Sequence, residues 1–146
     1  MDIVGFLDHS QSDFLGRTLE DIWSLSDSEI ESTHDFIQLV FPLNEPSLSS
    51  YHGVHLTCRE IEQIRGRLDI QENLLRSAEW ILGFLERSLV WRGAYNHNQL
   101  RITRVIKSLR LLVSDEAADH FYYNVLQMVD DGTKVNQKAL EFWASA

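Results

Sequence analysis

The side chains best suited to chemistry fall into two polar clusters. One begins at Asn96 with an Asn-His-Asn run and continues into a basic segment, and the other begins at His34. A polar turn that leads into a basic helix can receive a carboxylate or another anion through helix amides and arginines. The residues predicted to contact a ligand are the polar members of both clusters: Asn96, His97, Asn98, Arg101, Arg104, His34, Asp35 and Gln38. Helix capping by Asn96 or Asn98 is an alternative role that is compatible with binding.

The His34-Asp35 pair also resembles the metal-binding pair of phosphohydrolases of the HD type. That chemistry needs further histidine and aspartate ligands, and one pair is weak evidence for it. A metal-dependent hydrolase that uses His34, Asp35 and His97 is therefore the alternative function. His34 lies in helical register with Ile30, Ile37 and Phe41, which predicts one helix with a buried, hydrogen-bonded histidine.

A zinc site is the other metal arrangement that the sequence allows. His52, His55 and Cys58 lie close together, but a single thiol without a second ligand pair does not make a typical zinc site. Phosphate loops, nucleophile elbows and dinucleotide fingerprints do not occur in the sequence. We therefore expect no metal and no other cofactor.

The elements that position these residues are predicted to be helices. The chain has 146 residues, a length that suits one domain spanning 1–146. Apolar residues recur with helical spacing, and no segment shows the alternation typical of strands. The predicted fold is an all-α, single-domain bundle of about six to eight helices. Its predicted helix starts are marked by the capping residues Thr18, Ser26, Thr57, Ser114 and Asn136.

Two of the predicted helices are long. The longest covers about residues 70–91, and its aromatic stripe of Trp80, Phe84 and Trp91 is interpreted as core rather than as a groove for a peptide helix. The other follows Asn96 and has a broad apolar face: Ile102, Val105, Ile106, Leu109, Leu112 and Val113. Its opposite half is predicted to be polar and holds Arg101, Thr103, Arg104, Lys107, Ser108 and Arg110. Leu100 and Leu111 interrupt that half, so it faces either another element or a partner.

Charge and composition limit the classes of partner. The net charge is −9, which disfavours nonspecific binding to nucleic acids and to anionic membranes. Nucleic-acid binding through the face from Arg101 to Arg110 remains an alternative that we do not expect, because acidic residues such as Asp115 follow closely. Cys58 is the only cysteine, and the N-terminus lacks the basic start of a signal peptide. We expect no membrane span and an intracellular, cytoplasmic protein.

Two segments resemble the opioid growth factor receptor conserved domain: residues 34–43 (HDFIQLVFPL) and 96–112 (NHNQLRITRVIKSLRLL). Residues 16–22 (GRTLEDI) and 140–143 (LEFW) are similar to it as well. The family often has a histidine or an aromatic residue in the place of Gln99. The resemblance implies a helical domain. In its animal members that domain belongs to a receptor that binds an enkephalin peptide and associates with the nucleus.

Together these features predict a non-enzymatic binding module with an unidentified peptide or protein partner. Nuclear association is implied only by the resemblance to the animal members. The predicted site is centred on the entry of the helix that follows Asn96, since that segment combines capping, cationic and apolar residues. A fold does not fix a ligand, and the sequence identifies neither the ligand nor the oligomeric state.

Overall fold

The computed structural model describes residues 1–45, 54–129 and 134–146, and these residues contain nine α-helices, one 3₁₀ helix and no strand. The helices are α1 (Ile3–Leu7), α2 (Leu19–Trp23), α3 (Asp27–Ser32), α4 (Ile37–Val40), α5 (Cys58–Arg65), α6 (Leu68–Arg87), α7 (His97–Leu112), α8 (Asp115–Met128) and α9 (Gln137–Ser145), with the 3₁₀ helix at Val90–Arg92. The all-α prediction is confirmed. In the described part of the chain no helix is long and apolar enough to cross a membrane.

The chain divides into two compact units, Met1–Ser77 and Ala78–Ala146, and the division falls within α6. In the first unit, α1 packs against α4 and α5. In the second unit, α7 packs against α8, α9 and the 3₁₀ helix. That a single domain spans residues 1–146 stays a prediction.

The predicted helix starts are confirmed. Capping boxes form at Thr18, Ser26 and Thr57, where a hydroxyl accepts the amide three residues on and the acid there accepts the capping residue's own amide. Ser114 and Asn136 cap α8 and α9 with their side-chain oxygens. Each signal is local, since the capping group and the amide that it satisfies are three residues apart.

The prediction of one helix from Ile30 to Phe41 is wrong. The helix ends after Ser32 because Thr33 adopts an extended backbone, and a separate short helix begins at Ile37. Ile30 and Phe41 are still fully buried, but His34 lies in the segment between the helices and is exposed. The prediction of a buried histidine is therefore wrong. Ile30 and Phe41 stay buried on either side of the helix break, whereas His34 lies within the break and is exposed.

The long helix α6 ends at Arg87, four residues before its predicted end. Trp91 lies instead in the 3₁₀ helix, where its ring is fully buried and its indole N–H donates to the carbonyl of Leu85 at 2.8 Å. Phe84 is also buried. The core interpretation of these two rings is confirmed, although they do not share one helical face.

The buried side of α7 is wider than the apolar pattern predicts. Ile102, Val105, Ile106, Leu109 and Leu112 are buried as expected. Arg101 and Ser108, predicted on the polar half, are buried as well. At 100° per residue both lie beside the apolar face and extend the buried arc to about 180°. The prediction failed because it sorted residues by polarity, whereas contacts with two helices decide burial.

Gln99 fixes the segment before α7 and the start of α9. Its side-chain amide donates to the carbonyls of Trp91 and Gly93, both at 2.9 Å, and accepts from the Asn136 side chain at 2.9 Å. Its backbone carbonyl accepts the indole N–H of Trp143 at 3.0 Å. The rings of Trp91 and Trp143 are both buried, with centroids 6.2 Å apart. One buried side chain therefore connects three segments of the second unit.

The capping box of α3 predicts a stability effect that depends on position. Ser26 accepts the Glu29 amide at 3.2 Å, whereas Ser28 in the same helix uses no side-chain hydrogen bond within the described residues. Ser26→Ala should lower the free energy of unfolding by about 1 kcal/mol. The control Ser28→Ala should change it by less than about 0.5 kcal/mol. Urea denaturation measures both, and equal effects would contradict the capping role.

The same capping box predicts an acid-dependent loss of stability. Hydrogen bonds from the backbone and side chain of Ser26 hold the pKa of Glu29 below its ordinary value. A carboxyl with a lowered folded pKa stabilises the fold above its unfolded pKa, and that contribution disappears as the pH falls through the folded pKa. Denaturation between about pH 6 and about pH 3 should therefore show a shallower loss of stability in Glu29→Gln than in the unmodified chain. Identical pH profiles would exclude this contribution.

The hydrogen bonds of Gln99 predict a larger loss of unfolding free energy on substitution than the cap at Ser26 does. Gln99→Leu would leave one buried and one part-buried carbonyl without their donor and remove one acceptor from Asn136, which should cost roughly 3 kcal/mol of unfolding free energy. Gln127→Leu is the matched control, because Gln127 is exposed on α8 and should respond by less than about 0.5 kcal/mol. Thermal or urea unfolding of the two variants makes the comparison, and a mild effect at Gln99 would argue against its connecting role.

Candidate functional site

A pocket of about 530 Å³ opens between the entry of α7 and α9. We call it the α7–α9 pocket, and its lining residues are Tyr95, Asn96, His97, Gln99, Leu100, Thr103, Asn136, Lys138, Ala139 and Phe142. All of them belong to the second unit. Its volume falls in the range of small-ligand sites, which are typically concave and apolar with a few polar groups.

The rim of the α7–α9 pocket is apolar and open to solvent. Tyr95 is 85% exposed, Leu100 71% and Phe142 49%. The floor is closed by Gln99 and Ala139, which are both buried. Large exposed apolar side chains around a concave surface are typical of binding sites, because water contact with them is unfavourable until a ligand covers them.

The polar groups of the pocket divide into those used by the fold and those left for a ligand. The Asn136 side chain accepts from the Ala139 amide at 2.8 Å and donates to Ala94 and Gln99. The Asn96 oxygen accepts the Asn98 amide at 2.9 Å. Within the described residues, the Asn96 side-chain NH₂ donates no hydrogen bond and the Lys138 ammonium forms no ion pair. The Asn96 NH₂ and the Lys138 ammonium therefore remain as donors for a ligand, and the exposed Tyr95 hydroxyl can donate or accept.

The predicted cluster at the start of α7 divides between the pocket and the buried side of the helix. Asn96 and His97 line the pocket, and Asn96 also caps α7, so the two roles predicted for it are compatible. Asn98 is fully buried, and its side-chain oxygen accepts from the buried Arg101 guanidinium at 3.2 Å. Arg104 is half-buried and lies outside the pocket lining.

The predicted cluster around His34 belongs to the first unit. His34 is exposed, Gln38 is buried in α4, and Asp35 forms an ion pair with Arg17 at 2.9 Å. Arg17 also contacts Asp13 at 2.7 Å. Burial alone would lower the pKa of Arg17, but its hydrogen bonds to the two aspartates raise it, so the guanidinium keeps its charge. The Asp35 carboxylate is thus already neutralised by a cation.

The basic face of α7 is partly neutralised as well. Arg110 forms ion pairs with Asp115 at 2.9 Å and Asp119 at 2.8 Å, and it donates to the backbone carbonyl of Ala146. Hydrogen bonds to the two aspartates raise the pKa of Arg110. With Arg101 buried, the face does not present a continuous row of exposed cations.

The metal-ligating residue types do not gather in the described structure. Across residues 1–45, 54–129 and 134–146, no three His, Cys, Asp or Glu side chains are grouped so that they could hold a metal ion. His55 and Cys58 are exposed, and His52 lies outside the described residues. The sequence also predicts Gly132 just beyond a helix end and a loop over residues 43–55; Gly132 and most of that loop lie outside the described residues.

Sequence reasoning missed most of the pocket. Among the lining residues that were missed, Leu100 alone gave a local signal: it is an apolar residue among the cations of α7. It is exposed at the rim of the pocket. Lys138 and Phe142 come from α9, about 40 residues further along the chain. Their proximity depends on the packing of α9 against α7, for which no short-range pattern exists.

Comparisons with known proteins address the family of the chain. The model of the opioid growth factor receptor (OGFr) conserved region matches residues 8–93. The opioid growth factor receptor of Homo sapiens is 33% identical over 144 residues, which cover 84% of this chain and 20% of the relative. The receptor of Rattus norvegicus is 31% identical, covering 84% and 24%. Opioid growth factor receptor-like protein 1 of Rattus norvegicus is 30% identical over 104 residues, covering 60% and 22%.

The chain spans about a fifth to a quarter of the length of these relatives. No solved structure matches it. The family model covers residues 34–43, one of the two long segments that carry the resemblance, and it ends before α7 begins. Since the match covers more than half of the chain, the predicted family is confirmed: the chain belongs to the opioid growth factor receptor conserved-region family.

Proposed function

We propose that this chain is a non-enzymatic module that binds a peptide segment of a protein partner in the α7–α9 pocket. The observation that carries the proposal is the exposed apolar rim of Tyr95, Leu100 and Phe142 around a concave, buried floor. A peptide side chain that covers this apolar surface would stabilise the complex by about 25 cal/mol for each Å² removed from water. Asn96 and His97 are the members of the predicted site that the proposal keeps as ligand contacts.

The family supports the class of function but not the ligand. The relatives are named receptors for an opioid growth factor, and this chain corresponds to a small part of their length. Receptor-like binding is what the proposal takes from them. An intracellular location is part of the proposal, and its support is the single cysteine, Cys58, which leaves no disulfide within this chain.

The two alternative functions find less support in the described contacts. For a metal-dependent hydrolase, Asp35 would have to give up Arg17 before it could bind a metal ion. For nucleic-acid binding, Arg101 is buried against Asn98 and Arg110 is held by two carboxylates. Phosphate binding needs exposed cations, so neither arginine is well placed for it.

A random heptapeptide library displayed on phage tests the proposal. Peptides selected on the unmodified chain should bind Leu100→Gln about tenfold more weakly, because the leucine methyls would lose their apolar contact. Leu68→Gln is the matched control, since Leu68 is 74% exposed on α6, outside the pocket. It should bind with unchanged affinity in calorimetric titrations. Failure to select any peptide, or equal affinities for both variants, would overturn the proposal.

A further inference from the structure

The α7–α9 pocket has an electrostatic character opposite to that of the whole chain. The net charge is −9, yet none of the described residues that line the pocket is acidic. Lys138 is exposed at the pocket and has no acidic partner within the described residues. Charges further away than about 8 Å are largely screened at physiological ionic strength, so the local groups decide which ligand is accepted.

The hydrogen bonds at the pocket also favour a negatively charged ligand. Within the described residues, the acceptor oxygens of Gln99, Asn136 and Asn96 are all occupied by donors of the fold. The Lys138 ammonium and the Asn96 side-chain NH₂ are donors that the fold does not occupy, and the hydroxyl of the exposed Tyr95 can donate or accept. A ligand that satisfies the first two donors must supply acceptors, and a carboxylate supplies the strongest ones.

Backbone dipoles add to the preference for negative charge. Asn96 and Asn136 cap α7 and α9, helices of 16 and nine residues, and both asparagines line the pocket. The N-terminus of a helix carries a partial positive charge. Two such helix ends therefore lie at the same pocket as Lys138.

We propose that the α7–α9 pocket selects peptide segments in which an acidic side chain adjoins a large apolar side chain. The apolar group covers Leu100 and Phe142, and the aspartate or glutamate carboxylate accepts from Lys138 and the Asn96 NH₂. This inference rests on the proposed function and specifies its partner. The proposed ligand is a continuous peptide segment whose carboxylate belongs to a side chain. A continuous segment fits because the exposed rim residues Tyr95, Leu100 and Phe142 offer contacts to more than one apolar group.

The test uses the selected heptapeptides, displayed without a free C-terminus and then synthesised with acetyl and amide ends. We expect aspartate or glutamate beside leucine or an aromatic residue in the enriched sequences. Replacing that acid by its amide should weaken binding about three- to tenfold, as should Lys138→Gln, because one charge-assisted hydrogen bond is lost. Lys134→Gln is the matched control, since Lys134 is exposed nearby but does not line the pocket, and it should leave the affinity unchanged.

The outcomes separate this inference from the proposed function. Selected peptides that lose affinity with Leu100→Gln but show neither enriched acids nor a response to Lys138→Gln would overturn the acidic preference and leave peptide binding intact. Equal responses to Lys138→Gln and Lys134→Gln would also overturn it, because the effect would then come from net charge. Absence of any peptide whose binding depends on Leu100 would overturn both.

Discussion

The hydrogen bonds of the Gln99 side chain are the interaction on which the second unit depends most. They connect the carbonyls of Trp91 and Gly93 to α7, and α7 to the cap of α9. A buried polar group left unpaired costs more than an ordinary hydrogen bond contributes, so these segments hold one arrangement. The floor of the α7–α9 pocket is made by the same residue. The hydrogen bonds that connect these segments therefore also hold the floor of the pocket.

The sequence was sufficient to predict the structure where the contacts that decide it are local. Ser26 and Ser114 could be identified as helix starts because the amides that they cap lie three residues further on. It was insufficient where a distant partner decides. Arg101 was placed on the polar half because of its charge, yet it is buried with Asn98 as a hydrogen-bond partner. Polar residues are buried when partners are available, and apolar spacing does not record partners.

The candidate site shows the same division. Asn96 and His97 were predictable because a polar run at a helix entry is visible in a short window. The opposite wall, with Lys138 and Phe142, comes from a helix whose packing against α7 no spacing rule specifies. Of the predicted site residues only Asn96 and His97 line the pocket, so the charge of the pocket could not be judged from them. Only the full lining shows that donors remain on a chain whose average charge is strongly negative.

The family model and the pocket lining cover different residues, although residues 96–112 and 140–143, which include much of the lining, also resemble the family. The family match ends at residue 93, and the lining begins at Tyr95. Gln99 joins the two, but its acceptors at Trp91 and Gly93 are backbone carbonyls, which make no demand on the side chains there. Only the glutamine side of this contact depends on residue type. A neutral histidine in that place has one ring N–H and one acceptor nitrogen, so it could not donate to both carbonyls and also accept from Asn136. The proposed ligand preference therefore rests on the residues that line this pocket, since a shared fold does not by itself fix a ligand.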